Sequence, residues 1–108
     1  MTEKQVKQML EESKIPVYRG HAVVGAAVPY MVMHVSYANN FGADGITYLK
    51  IPQYTVELYQ TTPNELVRET IEAILTENGF YFTSDEADME EQSVFITYYY
   101  FGGLNNGE

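Results

Sequence analysis

Two stretches of the chain space their apolar residues as helices do, and the remaining apolar residues alternate or cluster as in strands. In the first stretch Val6, Met9 and Leu10, with Ser13 continuing the stripe, recur at intervals of three and four, while Glu3, Lys4, Lys7, Glu11 and Glu12 take the other side. The pattern predicts an amphipathic helix that stops before Ile15-Pro16, because the residue ahead of a proline is pushed out of the helical region. Thr2 and Gln5 stand where a capping box needs them. The second helix is predicted to start with Thr62 as its cap, Pro63 in the first turn and Glu65 three residues after the cap, and to stop at Gly79. Its stripe is Leu66, Val67, Ile71, Ala73, Ile74 and Leu75, opposite Arg68, Glu69, Glu72 and Glu77.

Strands are expected elsewhere. Val17 to Ala22 reads as the first, followed by a connection of small residues, Val23 to Val28, that closes at Pro29. Tyr30 to Tyr37 is apolar or aromatic at nearly every position, which predicts a strand covered on both faces. In the run Ile46 to Gln60, Pro52 cannot donate to a ladder and marks an edge, a bulge or a break. Beyond it Val56 and Leu58 alternate with Thr55, Glu57 and Tyr59, so one face is wet. Phe80 to Thr83 pairs with a last strand, Gln92 to Phe101, across an acidic loop, Ser84 to Glu91. Short connections make neighbouring strands antiparallel. The expected fold is α+β in two layers: a mainly antiparallel sheet of four to five strands, covered on one face by two helices. Residues 1 to 101 form one domain, and 102 to 108, rich in Gly and Asn, a flexible tail.

Composition narrows the function classes. The chain has 108 residues, 45% of them hydrophobic and 19% charged, and no run approaches the ~20 apolar residues of a membrane span. A soluble protein is expected, and Met1 leads into a polar segment with no secretory signal, so no export is expected. The absence of cysteine excludes disulfides and thiolate chemistry and fits a reducing compartment. A net charge of -9 repels a phosphate backbone and argues against direct nucleic-acid binding. The ten tyrosines admit two readings, a sheet populated by β-formers or a surface for protein contact.

The residues offer little catalytic chemistry. His21 and His34 have no metal-binding spacing, and His34, in an apolar strand, is expected to be a hydrogen-bonded packing residue. Ser13, Ser36, Ser84 and Ser93 lack a nucleophile-elbow context. The acidic cluster Asp85, Glu86, Asp88, Glu90 and Glu91 lacks the alternating ligands and glycine of a calcium loop, and a solvated hairpin loop is expected. No catalytic, metal or cofactor residue is assigned. In Ala38 to Tyr48, Gly42 and Gly45 are too few and wrongly spaced for a phosphate loop, whereas Asn39, Asn40, Asp44 and the glycines are turn formers. Phe41 stands out there as a candidate anchor for a partner.

A family resemblance rests on several local signatures together: Ile15-Pro16-Val17 with Gly20-His21 after a first helix, Pro29-Tyr30-Met31-Val32 opening a strand, Asn40 with Ala43-Asp44, and Tyr54 to Tyr59 before a helix. Over roughly residues 5 to 100 the chain resembles the small tail completion, or head-tail joining, proteins of long-tailed bacteriophages. It departs from them in a longer insert, Ala22 to Val28, and in Gly45 after the aspartate. The resemblance implies a structural virion protein, not an enzyme, present at the head-tail junction and assembled in the host cytoplasm. It implies a ring of six copies that caps the tail tube and docks to the head connector or stopper, with DNA passing through unbound. An acidic lumen would suit that passage. Candidate assembly residues are Asn39, Asn40, Phe41, Asp44, Asp85, Glu86, Asp88 and Leu104. Two alternatives stand beside this one: a neck or stopper protein on the connector side, and a small acidic inhibitor that imitates DNA.

Overall fold

The computed structural model describes residues 2 to 41 and 48 to 102, and the backbone alone for 38 to 41 and 48 to 51. Its elements in order are helix α1 (Glu3–Glu11), β1 (Val17–Arg19), β2 (Tyr30–Phe41), β3 (Tyr48–Gln60), α2 (Glu65–Glu77), β4 (Phe82–Met89) and β5 (Val94–Gly102), with a 3-10 turn at Glu90–Gln92. The five strands form one sheet in the order β1-β2-β3-β5-β4, which with the two helices gives an α+β fold.

The start of α1 follows its sequence: Thr2 accepts from the Gln5 amide while the Gln5 side chain accepts from the Thr2 amide. The start of α2 does not. Asn64, not Thr62, caps it, accepting from the amides of Leu66 and Val67 with its own backbone extended. That shift places the first helical residue at Glu65, so Pro63 precedes the cap instead of opening the helix. The buried stripe is Val67, Ile71, Ile74 and Leu75, while Leu66 and Ala73 face outwards. Gly79, at φ 84, takes the left-handed turn that follows the helix.

Several expectations about the sheet need correction. The first concerns β1, which stops at Arg19 and runs parallel to β2, with Val17 opposite Met31 and Arg19 opposite Met33. The connection from Gly20 to Pro29 is long enough to bring the chain back to the same end of the sheet, and hydrogen bonds from Met31 to Pro16 and from Gly20 to Met33 fix the register. The second concerns the acidic segment. Ser84 to Met89 is not a loop but strand, paired with β5 from Phe82 opposite Phe101 to Met89 opposite Val94. Only Glu90 to Ser93 turns, with Ser93 left-handed at φ 55. Cross-strand partners such as Tyr98 and Tyr99 override the weak strand propensity of the acidic residues there. The third concerns Ala38 to Phe41, expected in a loop. They continue β2 and pair with Tyr48 to Ile51 of β3.

The helices cover one face of the sheet. Val6, Met9 and Leu10 of α1 and Ile71, Ile74 and Leu75 of α2 join Met31, Met33, Tyr54, Val56, Leu58, Tyr99 and Phe101 in a single buried cluster. Strand alternation sends the intervening residues to the other face, so the helices cover β2 on one side only and not on both. Pro52 marks an edge: it pairs with Tyr37 of β2, one residue past the last β3–β5 pair, Gln53 with Gly102. Gly102 is therefore strand, not tail. A Cβ there would lie 2.7 Å from the Pro52 carbonyl oxygen and 2.8 Å from the Gln53 Cα, so only glycine lets β5 close on β3 at this point.

Candidate functional site

The face without helices carries most of the exposed chemistry. In register across the sheet it presents Tyr18 of β1, Tyr30, Val32, His34 and Ser36 of β2, Gln53, Thr55, Glu57 and Tyr59 of β3, Ile96, Tyr98 and Tyr100 of β5, and Thr83, Asp85, Ala87 and Met89 of β4. Val32 and Ile96 are buried although they lie outside the helix-covered cluster, and they form a floor beneath taller aromatic neighbours. Tyr30 stacks on Tyr59 with ring centroids 4.8 Å apart and meets Tyr18 edge-on at 5.9 Å. On β5, Tyr98 and Tyr100 stand nearly parallel, 10° between planes and 6.4 Å between centroids.

Glu57 sits at the centre of this aromatic field. It lies between Val32 and Tyr98 in register, and its carboxylate accepts from the Tyr59 hydroxyl at 3.0 Å and lies 3.3 Å from Nε2 of His34. The Tyr59 hydroxyl is pushed well above its ordinary value of 10.0, first by burial and then by its bond to the Glu57 carboxylate, so it stays a donor throughout the neutral range. His34 is the half-buried, hydrogen-bonded strand residue that its apolar context suggests, and His21 lies exposed just past β1.

The other acidic set lies under α2. Tyr99, fully buried, donates to Glu72 at 3.0 Å, and Arg68 pairs with Glu86 at 2.8 Å beside it. The Tyr99 hydroxyl is pushed above its ordinary value by burial and by the Glu72 carboxylate. These contacts tie α2 to β4 and β5. Glu86, an assembly candidate, stays exposed while it pairs with Arg68.

The remaining candidates scatter. Asp85 lies on the tyrosine face opposite Tyr98, whereas Asp88 lies on the opposite side of β4, opposite Phe95. Asn39, Asn40 and Phe41 belong to a two-stranded ribbon, Tyr37 to Phe41 with Tyr48 to Pro52, that extends about 17 Å past the rest of the sheet. Asp44 and Leu104, and the expected flexible tail beyond Gly102, lie outside the described residues. The tyrosine face is not among the residues the sequence singles out, although the number of tyrosines admits a contact surface. Its signal was the period-two placement of Tyr59 with Glu57 and of Tyr98 with Tyr100, which needs the strand register to become a single surface.

Four surface clefts among the described residues are small, about 200 to 330 Å3, at the lower limit of small-molecule sites. Glu65, Arg68, Glu69 and Glu72 line one and Asp88 to Gln92 another. Among the described residues no three of His, Asp or Glu converge as metal ligands would, and no helix is long and apolar enough to cross a membrane. No protein-family model matches this chain, and no curated protein shows significant similarity to it.

Proposed function

We propose that the chain is a structural subunit of a tailed-phage head-tail junction, one copy in a ring that completes the tail tube and joins it to the head connector. The resemblance noted above suggests the class, and the β2–β3 ribbon is the observation that best supports it. From His34 onward β2 has no β1 residue beside it, and from Tyr48 to Pro52 β3 has no β5 residue beside it. A two-stranded ribbon alone is marginal in water. Among the described residues no strand pairs with either outer backbone edge of the ribbon, and a ring is built by one patch of each copy meeting a different patch on the next.

The test is the native mass of the purified protein over a concentration series, alone and with isolated tail tubes or connectors, followed by negative-stain imaging. A closed ring, free or on the tube end, supports the reading, and binding to connectors in place of tubes moves it to the connector side. Phage particles that join heads to tails at full efficiency without this chain reject it. The acidic edge strand β4, with Asp85, Glu86 and Asp88, favours a second reading, a DNA-imitating inhibitor. That reading requires a monomer or dimer that binds a basic enzyme and is displaced by DNA.

A further inference from the structure

We infer that the tyrosine face is a receptor for an arginine-bearing segment of another protein, with the guanidinium taken up between Tyr98 and Tyr100 beside the Glu57 carboxylate. The inference is independent of the ring reading, because it concerns the sheet face and not the ribbon. Its first support is spacing. Two rings in direct face contact sit about 3.5 Å apart, and a planar group between two rings needs about 7 Å. Tyr98 and Tyr100 are consecutive residues on one face of β5, where the two-residue strand repeat of about 6.6 Å sets their nearly parallel rings 6.4 Å apart between centroids, so the strand repeat itself leaves room for one flat group. A flat cation midway would lie within the ~6 Å over which a tyrosine face attracts it.

Charge is the second support. Glu57 and Asp85, the residues opposite Tyr98 on its two neighbouring strands, are both acidic. Among the described residues no lysine or arginine lies on this face. The half-buried Glu57 has a tyrosine donor and a histidine but no guanidinium. On the covered face a similar set is complete: Tyr99, Glu72 and Glu86 surround Arg68 of the same chain. The open face has the ring, the carboxylates and the hydroxyl donor, and it lacks the cation.

A second copy of this chain is a poor source of that cation. It has two arginines, and both are engaged: Arg19 with Glu3 and Arg68 with Glu86. Its other side-chain cations at neutral pH are ammoniums, Lys4, Lys7, Lys14 and Lys50. A guanidinium on a basic partner meets neither objection, and its planar fork suits both stacking and a carboxylate, which an ammonium does not.

The test titrates the isotope-labelled protein with three short peptides, Gly-Arg-Gly-Arg-Gly and its lysine and citrulline twins, followed by NMR. The arginine peptide is expected to shift Tyr98, Tyr100 and Glu57, with the lysine twin about fivefold weaker and the uncharged citrulline twin about tenfold weaker. Glu57→Gln and Tyr100→Leu should each weaken the arginine peptide by about fivefold while leaving spectral dispersion intact. Tyr100 is partly exposed, so its replacement tests the slot without emptying the core. The inference is overturned if millimolar peptide shifts nothing on this face, if the shifts centre on Glu90 and Glu91, or if the three peptides bind alike.

Discussion

A tyrosine hydroxyl donates to a glutamate at 3.0 Å on each face of the sheet, Tyr99 to Glu72 beneath α2 and Tyr59 to Glu57 on the open side. Beneath the helix the tyrosine is sealed, although Glu72 and Arg68 reach a surface cleft: Tyr99 has no exposed surface, Phe82 packs edge-on against its ring, and Arg68 supplies the compensating charge. On the open side the pair lies among half-exposed rings and no guanidinium joins it. Burial with a full set of partners makes the first pair part of the fold. The second has the same donor and acceptor on a partly exposed face, and neither arginine of this chain reaches it.

The largest expected effect breaks the sealed side. Tyr99→Ala should lose about 3 to 5 kcal/mol in a urea titration, because it empties the core under α2 and strips Glu72 of its donor. Tyr98→Ala, one residue along the same strand but on the open face, should lose about 1 kcal/mol. Equal losses would mean that both faces are load-carrying core and would end the contrast. Next in size is Arg68→Met, which leaves Glu72, Glu86 and Tyr99 without their cation. About 2 kcal/mol should be lost, as when hydrogen bonds to charged groups go unmade, and Glu86→Gln in the Arg68→Met background should restore part of it.

Much of this division was legible in the chain. The helical stripes Val6, Met9, Leu10 and Leu66, Val67, Ile71, Ala73, Ile74, Leu75, of which only Leu66 and Ala73 turn outwards, and the alternation of Val56 and Leu58 with Glu57 and Tyr59, predict a two-layer sheet with one wet face. What the chain did not show depends on long-range pairing. Asp85, Glu86 and Asp88 read as loop because their own propensities favour one, and only the pairing with β5 makes them strand. The parallel β1 could not be read from Gly20 to Pro29, since a connection of that length allows either direction. Register also decides that Tyr18, Tyr30, Tyr59, Tyr98 and Tyr100 share a face, although they come from four strands.

Alkaline pH acts on both sides at once. The hydroxyls of Tyr54, Tyr59 and Tyr99 are all raised above 10.0, burial being the leading cause in each. In the folded chain they hold protons that the unfolded chain releases near pH 10, so their stabilising effect is complete below about pH 10 and falls as pH rises towards the folded values. Thermal unfolding between pH 8 and 11 should show a Tm that is flat and then declines, while absorbance at 295 nm records three tyrosines that ionise late. Tyr99→Phe and Tyr59→Phe should each make the decline shallower. A Tm that stays level to pH 11 would mean that these hydroxyls titrate as in the unfolded chain.

The smallest expected change in stability is that of Glu57→Gln. The amide keeps an acceptor for the Tyr59 hydroxyl and the size of the side chain, and it removes only a charge that no guanidinium of this chain compensates. Stability near neutral pH should move by less than about 0.5 kcal/mol. The Tyr59 hydroxyl should ionise at lower pH than in the parent chain yet still above 10.0, because burial, its leading cause, is untouched. The absorbance titration of Glu57→Gln against Tyr59→Phe isolates that shift. A loss comparable to that of Arg68→Met would place Glu57 in the framework of the sheet, and the open face would then be an exposed part of the core. A loss near zero together with weaker binding of the arginine peptide would separate binding from folding at this carboxylate, since the same charge would then matter to the partner and not to the fold.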